Sequence, residues 1–391
     1  MIRRIRHIIF LRDVLYLSVS AFGGPQAHLA LFLKIFVEKR AYLSEKDLIE
    51  LNALCQVLPG PTSTQTITAL GYRLGGHKLA YLTLIVWALP AVAIMTFLGI
   101  LMSKFHEQDI SINFTRFIQP MAVGFVGYAS IHIAWKVVRT KTAFILMALS
   151  ALLLYLFPSP FLIPFILLTA GGLTTYKFKK QPIEDKDRIK IRWNNFILWA
   201  GVFVLAALVG HYTRELPVRL FENFYRNGSM IFGGGHVLVP LLFTEFVEFK
   251  HYLSSEEFLV GFAFVQAVPG PVFSFCSYVG ALSMREYGIF GEIAGGVIAS
   301  AGIFLPGTFL IYFLIRFWDS LKQYRVIRAS LEGITAASTG LLLTATVFMV
   351  QPIEINIMNL IIILCTFTLL NFLSTMAPLL IIIGLIAGIL F

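Results

Sequence analysis

The sequence predicts an all-α polytopic membrane protein with two inverted-topology repeats, whose broken or re-entrant helices are joined through one extra transmembrane helix. Three observations lead to this fold class. The composition is strongly apolar, the basic residues gather in the connections between apolar segments, and the first half recurs in the second at a fixed offset. The composition indicates a chain embedded in lipid, the basic residues predict its orientation in the membrane, and the repeat predicts its internal symmetry.

The composition indicates that much of this chain lies in a lipid bilayer. Hydrophobic residues make up 58% and charged residues 13% of the sequence, with a mean hydropathy of +0.81. Apolar runs such as 79–102 and 196–210 approach or exceed the roughly 20 residues that cross a bilayer as a helix. The basic and then apolar N-terminus has the order of a signal peptide, but Arg12 and Asp13 interrupt it, so we expect it to be retained.

The basic residues predict orientation. The net charge of +10 is spread over loops and forms no nucleic-acid-binding patch. Loops rich in Lys and Arg are expected on the cytoplasmic side of the membrane. Four such basic segments occur: the N-terminus with Arg3, Arg4, Arg6 and Arg12, residues 136–141, residues 177–192, and the segment with Arg316, Lys322, Arg325 and Arg328. Turns near 158 and 352 lack Lys and Arg and are expected outside. The N-terminus is therefore predicted inside and the C-terminus outside.

An internal repeat divides the chain. At an offset of 210, residues 22–61 align with 232–271 without a gap, with 15 identities in 40 positions. "QVLPGPTST" in the first half corresponds to "QAVPGPVFS" in the second. The predicted domains are an N-terminal repeat over 1–176, a basic linker with a connecting helix over 177–212, and a C-terminal repeat over 213–391.

The single connecting span, 193–211, turns the second repeat over relative to the first. Each repeat begins with two broken elements, followed by four apolar spans. The broken elements either cross the membrane or re-enter it. Lys39, Arg40 and Lys46 would face outward in the first case and inward in the second, and the sequence does not decide between them.

The breaks predict an anion site. Proline and glycine end one half-helix and begin another, whose free N–H groups and positive dipole end favour an anion. Inverted repeats with matching broken helices are typical of secondary transporters that hold substrate near the midplane by alternating access. The predicted substrate-binding residues are Phe22, Gly23, Gly24, Pro25, Gln56, Pro59, Gly60, Pro61, Thr62, Ser63, Gly233, Gly234, Gly235, His236, Gln266, Pro269, Gly270, Pro271 and Ser274.

Other interpretations of these patterns remain open. The Pro-Gly-Pro segments could be packing kinks, and the same helix ends would serve a passive anion channel. An intramembrane enzyme is disfavoured because HExxH, GxSxG and paired intramembrane aspartates are missing from the sequence. Three cysteines without ligand spacing predict neither a metal site nor a disulfide framework, and we expect no cofactor. The sequence does not determine whether the protein is a monomer or an oligomer such as a homodimer.

The motifs "FGGPQAHLALF" at 22–32, "LPGPTSTQ" at 58–65, "FGGGHVLVPLL" at 232–242 and "VPGPVFSF" at 268–275 resemble those of the chromate ion transporter family in its long-chain, two-half form. The resemblance covers nearly the whole chain. It implies a carrier in a bacterial or archaeal cytoplasmic membrane that exports chromate, a sulfate-like dianion, and so confers chromate resistance. Two departures, Gly235 opposite Pro25 and Val272-Phe273 opposite Thr62-Ser63, predict a less polar second anion site.

Overall fold

The structure, a computed structural model, describes residues 2–22, 24–107, 116–159, 162–176, 193–231, 238–315, 325–351, 353–372 and 377–390. Every regular element in these ranges is a helix, which confirms the all-α prediction. Helices are the expected solution in lipid because they satisfy their own backbone hydrogen bonds.

The first half contains seven helices in its described residues. They are α1 (Ile2–Ser20), α2 (Gly24–Phe32, continued by a π-helical turn, Leu33–Lys39), α3 (Glu45–Val57), α4 (Thr62–Glu107), α5 (Ile118–Val137), α6 (Lys141–Leu156) and α7 (Leu162–Thr174). Gly76 interrupts α4 with φ 70° and ψ −162°, a conformation that glycine tolerates best. We therefore divide α4 into α4a (residues 62–75) and α4b (residues 77–107).

The second half follows the same order after the connecting helix α8 (Asn194–Thr213). Its helices are α9 (Leu216–Met230), α10 (Leu238–Leu242, continued by a π-helical turn, Phe243–Phe249), α11 (Ser255–Ala267), α12 (Phe275–Ser283, preceded by a 3₁₀ turn, Val272–Ser274), α13 (Gly288–Leu314), α14 (Arg325–Val350), α15 (Ile357–Phe372) and α16 (Ala377–Leu390).

The sequence duplication is visible in unusual backbone features. The two π-helical turns, Leu33–Lys39 and Phe243–Phe249, are separated by the offset of the sequence repeat. After each turn a non-glycine residue adopts positive φ, Ala41 at 49° and His251 at 53°. Both features are uncommon in helical proteins, so the aligned segments share local structure as well as residues.

Matching capping boxes begin α3 and α11. Ser44 accepts a hydrogen bond from the Asp47 amide at 3.1 Å, and Ser254 accepts one from the Glu257 amide at 3.1 Å. The acidic side chains reciprocate by accepting from the amides of the two serines. This Ser-x-x-acid pattern satisfies otherwise free N–H groups and so fixes where each helix starts.

Several helices are suited to a bilayer. Among the described residues, four are long and apolar enough to cross a membrane: Thr62–Phe105, Asn194–Thr213, Arg285–Leu314 and Glu332–Val350. Shorter apolar helices accompany them, including Lys141–Leu156 and Ile357–Leu370. On α8, Ile197, Val204 and Leu205 are exposed, as expected of a lipid-facing surface. The chain is a polytopic membrane protein.

The fold consists of two compact units, each with segments from both sequence halves. Unit 1 comprises residues 1–107, 192–229 and 264–316. Its core joins α4, α12 and α13, where Gly280 and Gly295 bring α12 and α13 into backbone contact. Both Pro-Gly-Pro segments contribute to this unit through Gly60 and Gly270.

Unit 2 comprises residues 108–191, 230–263 and 317–391. Its central helix, α14, packs on α5, α6 and α7. Gly340 lies against the backbone of Met147, and Thr344 donates a hydrogen bond to the Ala151 carbonyl at 2.8 Å. Small residues and interhelical hydrogen bonds hold helices together where lipid offers no hydrophobic drive for association.

Candidate anion site at the paired helix breaks

The two Pro-Gly-Pro segments have the same backbone geometry. Gly60 has φ 117° and Gly270 has φ 105°, both in a region that side chains disfavour. Each follows the end of a helix, α3 at Val57 and α11 at Ala267, and each precedes a new helical start at Thr62 or Val272. The repeated sequence thus produces a repeated break.

The first break packs tightly against α13. A Cβ placed on Gly60 would lie 3.1 Å from the Gly307 Cα and 3.2 Å from the Gln65 Nε2. Gln65 donates from Nε2 to the Pro59 carbonyl at 2.8 Å and to the Gly307 carbonyl at 3.1 Å. The glycine therefore forms a close joint with α13, and any space for a ligand lies beyond it, at the start of α4a.

The second break forms the reciprocal joint. The Gly270 amide donates to the Ala21 carbonyl at 2.8 Å. A Cβ on Gly270 would lie 3.1 Å from the Ala91 Cβ and 3.2 Å from the Ser18 carbonyl oxygen. Ala91 follows the proline inside α4b, as Gly307 follows the proline inside α13. Each half thus places its break against the proline-containing helix of the other half.

The first turn of α4a is polar and buried. Thr62 is 4% and Ser63 6% exposed, and the first backbone hydrogen bond of the helix runs from the Gln65 amide to the Pro61 carbonyl at 2.9 Å. The amides of residues 62–64 therefore have no acceptor within the helix. Thr64 accepts a hydrogen bond from the Trp87 Nε1 at 3.1 Å, which orients its hydroxyl. Buried N–H and O–H donors at a helix start are suited to an oxyanion.

The second helical start carries fewer polar side chains. The Ser274 amide donates to the Pro271 carbonyl at 2.9 Å within the 3₁₀ turn. The Ser274 side chain is fully buried, and its Oγ has no hydrogen-bond partner among the described residues. Phe273 fills the position that Ser63 occupies in the first half and is buried as well. One hydroxyl is thus available here for a ligand.

The other predicted residues differ in burial, and some of them lie outside the described part of the structure. Phe22 is exposed; Pro59, Gly60, Pro61, Gly270 and Pro271 are buried, and Gln266 and Pro269 are half-buried. Gly24 and Pro25 begin α2 and Gln56 lies in the last turn of α3, while the side chains of Pro25 and Gln56 lie outside the described part of the structure. Gly23, Gly233, Gly234, Gly235 and His236 lie outside the described residues.

Three side chains at the breaks were missed by reasoning from the sequence. Gln65 joins the first break to α13, Trp87 bonds the first turn of α4a, and His28 contacts the ring of Trp87. The signal for Gln65 was its place in "PGPTSTQ", since a glutamine in the first helical turn can reach back toward free backbone groups. Trp87 and His28 carried no local signal.

No group of three or more His, Cys, Asp or Glu side chains is placed to hold a metal ion in the described part of the chain. Cys55 and Cys276 are buried free thiols, and Cys365 is an exposed one. The chemistry available at the breaks is that of backbone amides, hydroxyls and side-chain amides. Such neutral donors bind an anion without a permanent opposite charge, so it can be released again.

Comparisons with known proteins place this chain in a family. The family model described as "Chromate transporter" matches residues 8–176 and 218–389. The chain is 27% identical to an uncharacterized transporter of Methanocaldococcus jannaschii, over 91% of this chain and 87% of the relative. It is 24% identical to a probable chromate transport protein of Synechococcus elongatus, over 96% and 93% of the two chains. It is also 24% identical to a chromate transport protein of Cupriavidus metallidurans, over 91% and 86%. No solved structure matches the chain.

Proposed function

The chain belongs to the chromate transporter family, and from this membership and the two breaks we propose that it is a secondary carrier that exports chromate by alternating access. Relatives named as chromate transport proteins match most of the chain, which supports the choice of chromate. Sulfate, another tetrahedral dianion, is the natural competing substrate. A transporter needs no catalytic residue, in keeping with a site built of hydrogen-bond donors.

One observation carries the proposal: the first turn of α4a is buried and polar at a break inside an apolar unit. Desolvated donors that face no acceptor within their own helix are costly unless a ligand or another group accepts from them. In this unit the described residues after the first break offer the amides of residues 62–64 and the hydroxyls of Thr62 and Ser63. An oxyanion can accept several of these hydrogen bonds at once.

The two halves are proposed to have opposite orientations in the membrane. The reciprocal contacts, Gly60 with Gly307 and Gly270 with Ala91, pair each break with the proline-containing helix of the other half, which supports a two-fold relation between the halves. The loop charges support a cytoplasmic N-terminus and an external C-terminus. Such symmetry supports alternating access because exchanging the conformations of the two halves reverses the side to which the site opens.

Transport in proteoliposomes tests the proposal. Purified protein should take up labelled chromate in a saturable manner, and preloading the vesicles with unlabelled chromate should accelerate this uptake. A passive channel would show neither saturation at low concentration nor acceleration by preloading. Flux in protein-containing vesicles no faster than in empty vesicles would refute a transport function for chromate, and the same assay with sulfate would then identify the alternative substrate.

A matched pair of variants connects transport to the site. Replacing Thr62 by Val and Ser63 by Ala removes two hydroxyls at the buried helix start and should weaken chromate binding by roughly ten- to a hundredfold. Thr169→Val removes an exposed hydroxyl that bonds only its own helix on α7, and it should leave transport unchanged. Equal transport by both variants would argue that the break is a packing kink.

A further inference from the structure

His28 lies buried between the two breaks. Its side chain, on α2, is 1% exposed. Its Nε2 lies 3.3 Å from the Ala21 carbonyl oxygen, and because a carbonyl only accepts, Nε2 must carry the proton. The same carbonyl accepts the hydrogen bond of the Gly270 amide in the second Pro-Gly-Pro segment. His28 is therefore tied to the second break through a shared acceptor.

The ring of His28 is also tied to the first break. It meets the Trp87 ring edge-on, with centroids 5.4 Å apart and an interplanar angle of 90°. Trp87 in turn donates from Nε1 to the Thr64 hydroxyl in the first turn of α4a. A single side chain, that of Trp87, thus connects the imidazole to the helix start that is proposed to bind the anion.

The second ring nitrogen of His28 is available. Nδ1 is buried and has no hydrogen-bond partner among the described residues. The described ring and hydrogen-bond partners of His28 are Phe32, Trp87 and the Ala21 carbonyl. None of them is titratable near neutral pH or charged, so within the described structure the ring has neither an acceptor nor a counter-charge at Nδ1.

We propose that His28 binds a proton together with the oxyanion, with Nδ1–H donating to the bound anion. This inference rests on the proposed anion site. A positively charged imidazole among aromatic rings is costly without an anion beside it, and a buried dianion is costly without a positive charge. The protonated imidazole and the anion each offset the desolvation cost of the other, so the proton and the anion bind cooperatively. The proton comes from solvent, resides on Nδ1, and leaves when the anion is released.

The prediction is a measurable proton uptake. Near pH 7.5 an ordinary imidazole is mostly neutral, so binding of sulfate or chromate to the full-length protein in detergent should take up as much as about one proton per anion. The affinity should rise as the pH falls, by up to about tenfold per pH unit, because the bound state holds more protons than the free state. Titration calorimetry in buffers of different ionisation enthalpy measures the uptake, and sulfate is the cleaner probe because it does not titrate in this range.

Four variants locate the proton. His28→Gln keeps an amide that can donate to the Ala21 carbonyl but cannot be protonated, and it should bind the anion more weakly, without proton uptake and without pH dependence. His28→Asn provides a second variant if the first does not fold. His132→Gln changes an exposed histidine on α5 and is the matched control, while His236→Gln tests the other histidine of the motifs.

The outcomes separate the two proposals. Uptake that disappears in the His28 variants and persists in the His132 variant supports the inference. Uptake that persists in His28→Gln, or disappears in His236→Gln instead, overturns it. Anion binding by the unaltered protein without proton uptake overturns the inference and leaves the proposed function standing. If neither anion binds at any pH from about 6 to 8, the range in which an ordinary imidazole titrates, the anion site itself falls, and the inference falls with it.

Discussion

Replacing Gly60 by Ala should destabilise unit 1 for two separate reasons. At φ 117° a non-glycine backbone is strained by about 1–3 kcal/mol. The added methyl would also lie 3.1 Å from the Gly307 Cα and 3.2 Å from the Gln65 Nε2, and overpacking of this kind costs about 1–3 kcal/mol. The combined loss of roughly 2–6 kcal/mol is a large fraction of the stability of an ordinary domain.

Three glycines in the same unit separate these two effects. Gly76 has φ 70° and open space, with nothing within 4 Å of the methyl that an alanine would add, so Gly76→Ala tests backbone strain alone. Gly307 is helical, but its methyl would lie 2.8 Å from the Gln65 Nε2, so Gly307→Ala tests crowding at the joint. Gly201 is helical and open, so Gly201→Ala should be neutral or slightly stabilising.

Thermal unfolding of the detergent-purified variants measures the outcome. A loss of 1 kcal/mol shifts the Tm by roughly 2–4 °C for a unit of about 200 residues, so Gly60→Ala, with its loss of roughly 2–6 kcal/mol, should unfold roughly 4–24 °C below the parent protein. Its loss should approach the sum of the Gly76→Ala and Gly307→Ala losses. A Gly60→Ala protein no less stable than Gly76→Ala would refute the tight joint, and one as stable as Gly201→Ala would refute both reasons.

Three further predictions concern the joint, the anion and the topology. Gln65→Leu removes the two buried hydrogen bonds that Nε2 donates to the Pro59 and Gly307 carbonyls and should lower the free energy of unfolding by about 1–3 kcal/mol. A Tm equal to that of the parent protein would show that these bonds are unimportant. The Thr62→Val and Ser63→Ala double variant should bind chromate more weakly than Ser274→Ala, measured with the labelled anion, and the reverse order would place the main site in the second half. In a cysteine-free background, cysteines placed in the basic linker 177–192 and at Glu215 should react with impermeant reagent from opposite faces, and labelling from one face would contradict the inverted repeat.

The sequence predicted local structure at the breaks well. Glycine flanked by prolines limits the backbone so strongly that the end of one helix and the start of the next follow from the residues alone. The duplication then predicted that the second break would match the first, and Gly60 and Gly270 do match, with φ 117° and 105°. These successes share a cause, since each depends on neighbours within a few positions along the chain.

The contacts of each break were not predictable in this way. Gln65 bonds Gly307, 242 positions away, and Gly270 bonds Ala21. The repeat drew attention to Gln56 and Gln266, because they are identical in both halves, whereas Gln65 corresponds to Phe275 and appeared only once. His28 has Leu238 at its repeat position and was passed over for the same reason. Residues repeated in both halves identify the shared backbone structure, whereas polar residues present in only one half, such as Gln65 and His28, are the candidates for joining the breaks or binding an anion.

That asymmetry bears on where an anion would bind. Two identical helix starts related by a two-fold axis would attract an anion equally, and it would sit midway between them. Here the first start has Thr62, Ser63 and Thr64, while the second has Val272 and Phe273 before Ser274. His28 reaches the first start through Trp87. Donors to a desolvated charge each contribute about 1.5–3 kcal/mol, so even one additional donor outweighs thermal energy severalfold and would draw a bound anion off the axis, toward the start of α4a.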